Sequence, residues 1–153
     1  MTLHDRIDAD TTDAMRARDR GRLDALRLLR AALTNRLVAD GMPPTARLDD
    51  AAVMAVIASE VKRRREAAQA FRDGGRDESA AQEEAEAEVY AAYLPVQLED
   101  AELRDVVAAT VARLGATGPR DAGPVIREVL AETAGRADGG RVAALVRDAL
   151  AGA

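Results

Sequence analysis

Pro95 constrains this chain more than any other single residue. It stands in Tyr93-Leu94-Pro95-Val96-Gln97-Leu98, between a long acidic run of helix formers and a fresh helical pattern. Proline has no amide hydrogen to donate and its ring clashes with the preceding turn, so a regular helix cannot pass through it. Leu94, the residue before it, is pushed out of the α region as well. A chain of helices broken here is expected to fold as two helical units. The expected organisation is an N-terminal helical domain over 1–94, a hinge at 95–98 and a smaller C-terminal domain over 99–153.

The side chains available for a core narrow the class further. Hydrophobic residues make up 48% of the 153, and alanine is the largest share of them. Phe71, Tyr90 and Tyr93 are the only aromatic residues. Alanine is the best helix former, whereas sheets favour the aromatic residues that are scarce here. The expected class is all-α, with about four helices in the first domain and a three-helix bundle in the second.

The apolar spacing places the helices. Leu3, Ile7, Ala14 and Met15 mark a weakly amphipathic helix over 3–18, and Asp19-Arg20-Gly21 marks a break. Leu26, Leu29, Leu33 and Leu37 form a single-face stripe over 22–39, stopped by Gly41-Met42-Pro43-Pro44. A third helix opens at Asp49 or Asp50 and ends at Gly74-Gly75, and a fourth runs from Asp77 to Tyr93. After Pro95, helices are expected over about 100–114, from Pro124 as first residue with Gly123 as cap, and after Asp138.

Composition excludes several kinds of chemistry. With no cysteine there are no disulfides, thiolate metal sites or cysteine nucleophile. No apolar run approaches the ~18 residues that span a bilayer, and Met1-Thr2-Leu3-His4-Asp5 lacks the basic-then-apolar pattern of a signal peptide. A cytoplasmic protein without membrane partners is expected. The net charge is −5, and neither half is basic: 15 basic against 18 acidic residues through 98, 7 against 9 beyond it. Contact with RNA would need a local patch.

The densest positive charge is Lys62-Arg63-Arg64-Arg65, with Arg72 and Arg76 beyond. On a helical wheel Lys62, Arg65, Arg72 and Arg76 share one side, opposite Val53 and Phe71, a stripe able to meet phosphates. Against this, a turn at 74–76 would bring Glu83 to Glu88 beside Arg64 and Arg65, and the charges would neutralise each other within the chain. Glu60 and Arg64 fall in the apolar stripe, four residues apart in the favoured order for a helix pair. Such a pair serves register or specificity, or docks a partner.

Gly135-Arg136-Ala137-Asp138-Gly139-Gly140-Arg141 reads as a turn between helices. Asp138 is a natural N-cap, and Arg136 and Arg141 flank the positive end of the next helix, where an anion could sit. The glycine spacing matches neither a nucleotide P-loop nor a dinucleotide fingerprint, and a purely structural turn is the competing reading. His4, the only histidine, lies near an expected exposed end, unsuited to acid–base or metal chemistry. Ser59 precedes Lys62 at a Ser-x-x-Lys spacing, but no oxyanion loop or supporting strand accompanies it. No catalytic residue, metal ligand set or cofactor site is expected.

Several of these residues together carry a family resemblance. They are Arg27, Ala32-Leu33, Asn35, Glu60, Lys62, Arg64, Phe71, Gly75-Arg76 and Glu84-Ala85-Glu86, then Tyr93 to Leu98 and Gly135 to Gly139. In that order and spacing the chain resembles the stand-alone proteins of the GatB/YqeY family over its whole length. The resemblance implies an all-helical protein with a C-terminal three-helix bundle, related to the tail of the B subunit of the tRNA-dependent amidotransferase. It carries a label of carbon–nitrogen ligase with glutamine as amide donor. In that enzyme the tail resembles a tRNA-recognition module, and other domains do the chemistry. No candidate residues for glutamine hydrolysis or for an ATP–Mg²⁺ site occur here. Pro124 departs from the helix-compatible basic residue usual in the family.

The expected function is therefore a non-catalytic tRNA-associated accessory or recognition module. The alternatives are a subunit or cofactor of a glutamine-dependent amidotransferase, acting only in complex, and a protein–protein adaptor without an RNA role. Partners implied are tRNA, amidotransferase subunits or another protein. The residues expected to bind RNA or a partner are Lys62, Arg64, Arg65, Arg136, Asp138 and Arg141.

Overall fold

A computed structural model describes residues 1–152. Among these residues there are seven α-helices, one short 3-10 turn and no strand. The chain divides into two compact units, Met1–Leu94 and the residues from Pro95 onward. Among the described residues no helix is long and apolar enough to cross a membrane.

Four helices build the first unit: α1 (Leu3–Arg16), α2 (Arg20–Ala39), α3 (Asp50–Asp73) and α4 (Asp77–Ala91). Local chemistry sets their ends. Thr2 and Asp5 form a reciprocal capping box on α1, and the Asp19 and Asp49 carboxylates cap α2 and α3 by accepting the Arg22 and Ala52 amides. Gly75, at φ 73°, terminates α3 in the left-handed conformation that glycine adopts without a Cβ clash. Leu26, Leu29, Leu33 and Leu37 of α2 are buried and pack with Ile7, Val53, Ile57, Ala87 and Tyr90 into one core.

Three local expectations are corrected. Met15 is 53% exposed, because the buried side of α1 runs through Ile7, Thr11 and Ala14 instead. The Thr11 hydroxyl is tolerated there because it donates to the Ile7 carbonyl at 2.7 Å. His4 is buried rather than exposed, with its Nδ1 accepting the Leu48 amide at 3.2 Å. The chain after Pro44 folds back over the start of α1 and covers it, which no local pattern foretells. The fourth helix ends at Ala91, short of Tyr93.

The second unit holds α5 (Asp100–Leu114), a 3-10 turn (Pro119–Asp121), α6 (Ala122–Thr133) and α7 (Gly139–Ala151). Its core is Leu98, Leu103, Val107, Val125, Val129, Ala137, Val142, Val146 and Leu150. Leu103/Val107, Val125/Val129 and Val142/Val146/Leu150 each repeat at i, i+4, so each helix turns one apolar stripe inward. The buried Thr110 and Thr133 hydroxyls donate to the Val106 and Val129 carbonyls, both at 2.8 Å. Helix α6 starts two residues before Pro124, which therefore occupies the third helical position. A proline is accommodated there because the first amides of a helix have no intrahelical acceptor.

Two predictions follow from unusual local environments. Burial lowers the His4 pKa from 6.5, with Arg47 adding to the effect and Asp8 and Asp5 opposing it. The unfolded chain then binds a proton at a pH where the folded one does not, so stability is complete above 6.5 and falls as pH drops below it. Urea unfolding followed by tyrosine fluorescence reports this unit alone, since both tyrosines lie in it. His4→Asn should flatten the pH slope between neutral and mildly acidic conditions. Arg18 has φ 57°, a left-handed conformation costly for a side chain bearing a Cβ. Arg18→Gly should stabilise the unit by about 0.5–1 kcal/mol, measured as a raised melting temperature.

Candidate functional site

The basic run on α3 is split by the fold. Arg64 turns inward, and its side chain is only 12% exposed. Its Nη1 donates to Glu60 Oε2 at 2.9 Å, and its Nε lies 3.1 Å from Glu86 Oε2 on α4. That second contact has ion-pair distance without hydrogen-bond alignment, so the Arg64 Nε–H is left without an acceptor. The guanidinium stacks 4.9 Å from the centre of the Tyr90 ring. Tyr90 in turn donates its hydroxyl to the Ala25 carbonyl at 2.6 Å, tying α4 to α2. Burial pushes the Tyr90 phenol up to about 12 against the pull of Arg64.

Lys62, Arg63 and Arg65 face solvent. Lys62 has only a long contact to Glu66 at 4.0 Å, and Arg63 lies 3.6 Å from Glu60. Arg72 pairs with Glu84 across the α3–α4 hairpin. Arg76 does not continue the wheel of α3. Its guanidinium lies 5.3 Å from the Phe71 ring centre, on the side it was expected to oppose. Helix α3 has ended by Asp73, and the reversal at Gly75 returns Arg76 over the last turn.

In the second unit, the 135–141 turn grips the segment that follows Pro95. The Leu98 amide donates to the Arg136 carbonyl at 2.8 Å, and Gln97 Nε2 donates to the Gly135 carbonyl at 2.9 Å. Arg136 Nε donates to the Val96 carbonyl at 3.2 Å. Arg141 is more fully engaged: its Nη2 lies 2.6 Å from Asp100 Oδ1 and 2.9 Å from the Leu98 carbonyl. Asp138 caps its own helix by accepting the Arg141 amide at 3.1 Å. Arg136 and Asp138 remain exposed, and Arg141 is half-buried.

Two further features carry no clear signal in the sequence. Tyr93 donates its hydroxyl to Asp10 Oδ2 at 2.6 Å, with Arg22 3.7 Å from the same oxygen and Arg6 stacked on the ring. Burial and that bond together push its phenol up to about 12. An open groove of 310 Å³ runs between α2 and α3, lined by Ala32, Asn35, Arg36, Ala55, Val56, Ser59, Glu60 and Arg63. These partners are far apart in sequence, so spacing within one helix cannot reveal them. Among the described residues no three His, Cys, Asp or Glu side chains converge as a metal site requires. Ser59 faces the groove with Glu60 and Arg63, and no histidine is near it.

Removing Arg64 would leave Glu60 and Glu86, at 12% and 15% exposure, facing each other without the cation between them. Arg64→Ala should cost about 3 kcal/mol of first-unit stability, read by urea unfolding with tyrosine fluorescence. Arg64→Lys should cost less, since it keeps the charge and loses only the planar fork and the stacking.

No curated protein matches the chain. The family model described as Yqey-like protein matches residues 4–150, which takes in all four helices of the first unit and nearly all of the second. The chain therefore belongs to the YqeY family.

Proposed function

We propose that this protein is a non-catalytic accessory module associated with tRNA. The observation that carries the reading is the sorting of charge on α3: Arg64 is neutralised inward by two carboxylates, while Lys62, Arg63 and Arg65 stay at the surface with weak partners or none. Cations held on a rigid helix can meet phosphates without first breaking a strong ion pair. In the second unit, Arg136 uses only its Nε on Val96 and is the remaining exposed cation of the 135–141 turn. Asp138 and Arg141 then act as positioning residues that hold the turn in shape. Chemistry belongs to a partner, for which amidotransferase subunits are the candidates implied by the family resemblance.

The test is binding of purified protein to bulk tRNA across a salt series. Lys62→Ala with Arg65→Ala, and separately Arg136→Ala, should weaken binding and lower the salt slope by ~1 for each phosphate contact removed. All three side chains are exposed, so helicity should not change. Absence of a complex at low salt would overturn the RNA reading and favour a protein adaptor, which the net charge of −5 suits. Glutamine-dependent ammonia release by the purified chain would overturn the non-catalytic part.

A further inference from the structure

Left-handed glycines follow four of the helices: Gly41 after α2, Gly75 after α3, Gly115 after α5 and Gly135 after α6. Helix α1 ends with the same backbone geometry and no glycine. Arg18 stands in the left-handed position at φ 57°. Its amide donates to the Met15 carbonyl at 3.2 Å, and the Asp19 amide donates to the Ala14 carbonyl at 3.0 Å, the bonding of a helix end that glycine normally makes. Ala134 is the other left-handed residue with a Cβ, and Gly135 follows it at once. A costly conformation kept at a charged residue points to a use for that side chain, since glycine would close the helix at less cost.

Arg18 is one of four arginines in the seven residues Arg16-Ala17-Arg18-Asp19-Arg20-Gly21-Arg22, and all four are exposed. Their ion pairs are loose or absent. Arg16 lies 3.8 Å from Asp13 and Arg22 3.7 Å from Asp10, both beyond hydrogen-bond reach. Arg18 and Arg20 hold no ion pair within the described residues. By contrast, Arg30 and Arg47 each lie 2.8 Å from Asp8, Arg36 2.8 Å from Asp40 and Arg64 2.9 Å from Glu60. The carboxylates beside the turn are already engaged. Asp10 accepts the Tyr93 hydroxyl at 2.6 Å, and Asp19 accepts the Arg22 amide at 3.2 Å as the cap of α2. Gly21 has open space where a Cβ would stand, so packing does not call for it, and it leaves the first turn of α2 approachable between Arg20 and Arg22.

We propose that the α1–α2 turn is a phosphate-binding surface, on which Arg16, Arg18, Arg20 and Arg22 take the sugar–phosphate backbone of RNA. The identity of the ligand rests on the tRNA reading above, and the turn adds a contact that does not depend on Lys62, Arg63, Arg65 or Arg136. Guanidiniums suit this ligand because each planar fork can bond two oxygens of one phosphate. An acidic protein surface is less well served. Residues 16–22 contain no apolar side chain larger than alanine, and Met15 is the one large apolar side chain exposed beside them, too little for the dry centre of a protein interface.

Binding of the full chain to bulk tRNA across a salt series tests this. Arg18→Gly should raise the melting temperature and yet weaken binding, with the salt slope falling by ~1. Arg18→Lys keeps the charge in the same strained conformation, so the slope should stay near wild type and the melting temperature should not rise. Adding Arg16→Ala and Arg20→Ala to Arg18→Gly should raise Kd at least about tenfold without loss of helicity. Binding that is indifferent to these turn variants, while Lys62→Ala with Arg65→Ala weakens it, would overturn the proposal and leave the tRNA reading standing. No complex even at low salt would remove both. Binding lost in the turn variants but untouched by Lys62→Ala with Arg65→Ala would keep the turn and remove α3 from the contact. Polyglutamate bound as tightly as tRNA at matched charge, and released by the same turn variants, would assign the turn to an acidic protein partner and overturn the proposal.

Discussion

Arg64, held between Glu60 and Glu86 beneath the Tyr90 ring, is the contact on which the register of the first unit depends. The packing around it is short on shape. Buried alanines at positions 68, 80 and 87 line α3 and α4, and apolar burial is non-directional, so alanine-rich helices can slide past one another at little cost. A guanidinium with two carboxylates at defined distances removes that freedom. The network then continues through the Tyr90 hydroxyl to the Ala25 carbonyl and fixes α2 against the same hairpin. A half-buried charged cluster of this kind adds little net stability over an apolar replacement, but losing one member is costly.

The second unit solves the same problem with backbone carbonyls. Its core is small, and its first segment, 95–99, precedes any helix. Arg136 and Arg141 donate to the Val96 and Leu98 carbonyls, while the Leu98 amide returns a bond to the turn that carries both arginines. A turn with two arginines and several glycines can look like an anion site for this reason. The charges are real, but one of them is already engaged with Asp100. Exposure and partner count, rather than the number of basic residues, separate a surface available to another molecule from one that holds the chain together.

Legibility in the sequence tracks the distance over which each effect acts. The caps at Asp49 and Asp138, the left-handed end of α3 at Gly74-Gly75, and the α2 leucine stripe all depend on neighbours within one or two turns, and all stand as read. The Glu60–Arg64 pair was legible for the same reason, being one helical turn apart. Pro124 misled because a proline is acceptable at any of the first few helix positions, so it marks a start without fixing which residue is first. Arg76 was misplaced because a wheel assumes the helix continues, and α3 does not.

By itself, the sequence determined that the chain is helical, where its helices begin and end to within a few residues, and which stripe of each is apolar. Those are properties of local backbone sterics, capping and periodicity. Only the tertiary structure decided which side chains lost their freedom to act outside the fold. It buried His4 under Leu48, joined Tyr93 to Asp10, turned Arg64 inward and set Arg141 on Asp100. Each of these joins residues separated by 22 or more positions, and loop geometry over such separations is not encoded in any local pattern. The same structure left Leu28 and Val38 of α2 uncovered, because a helix can turn only one side towards a single core.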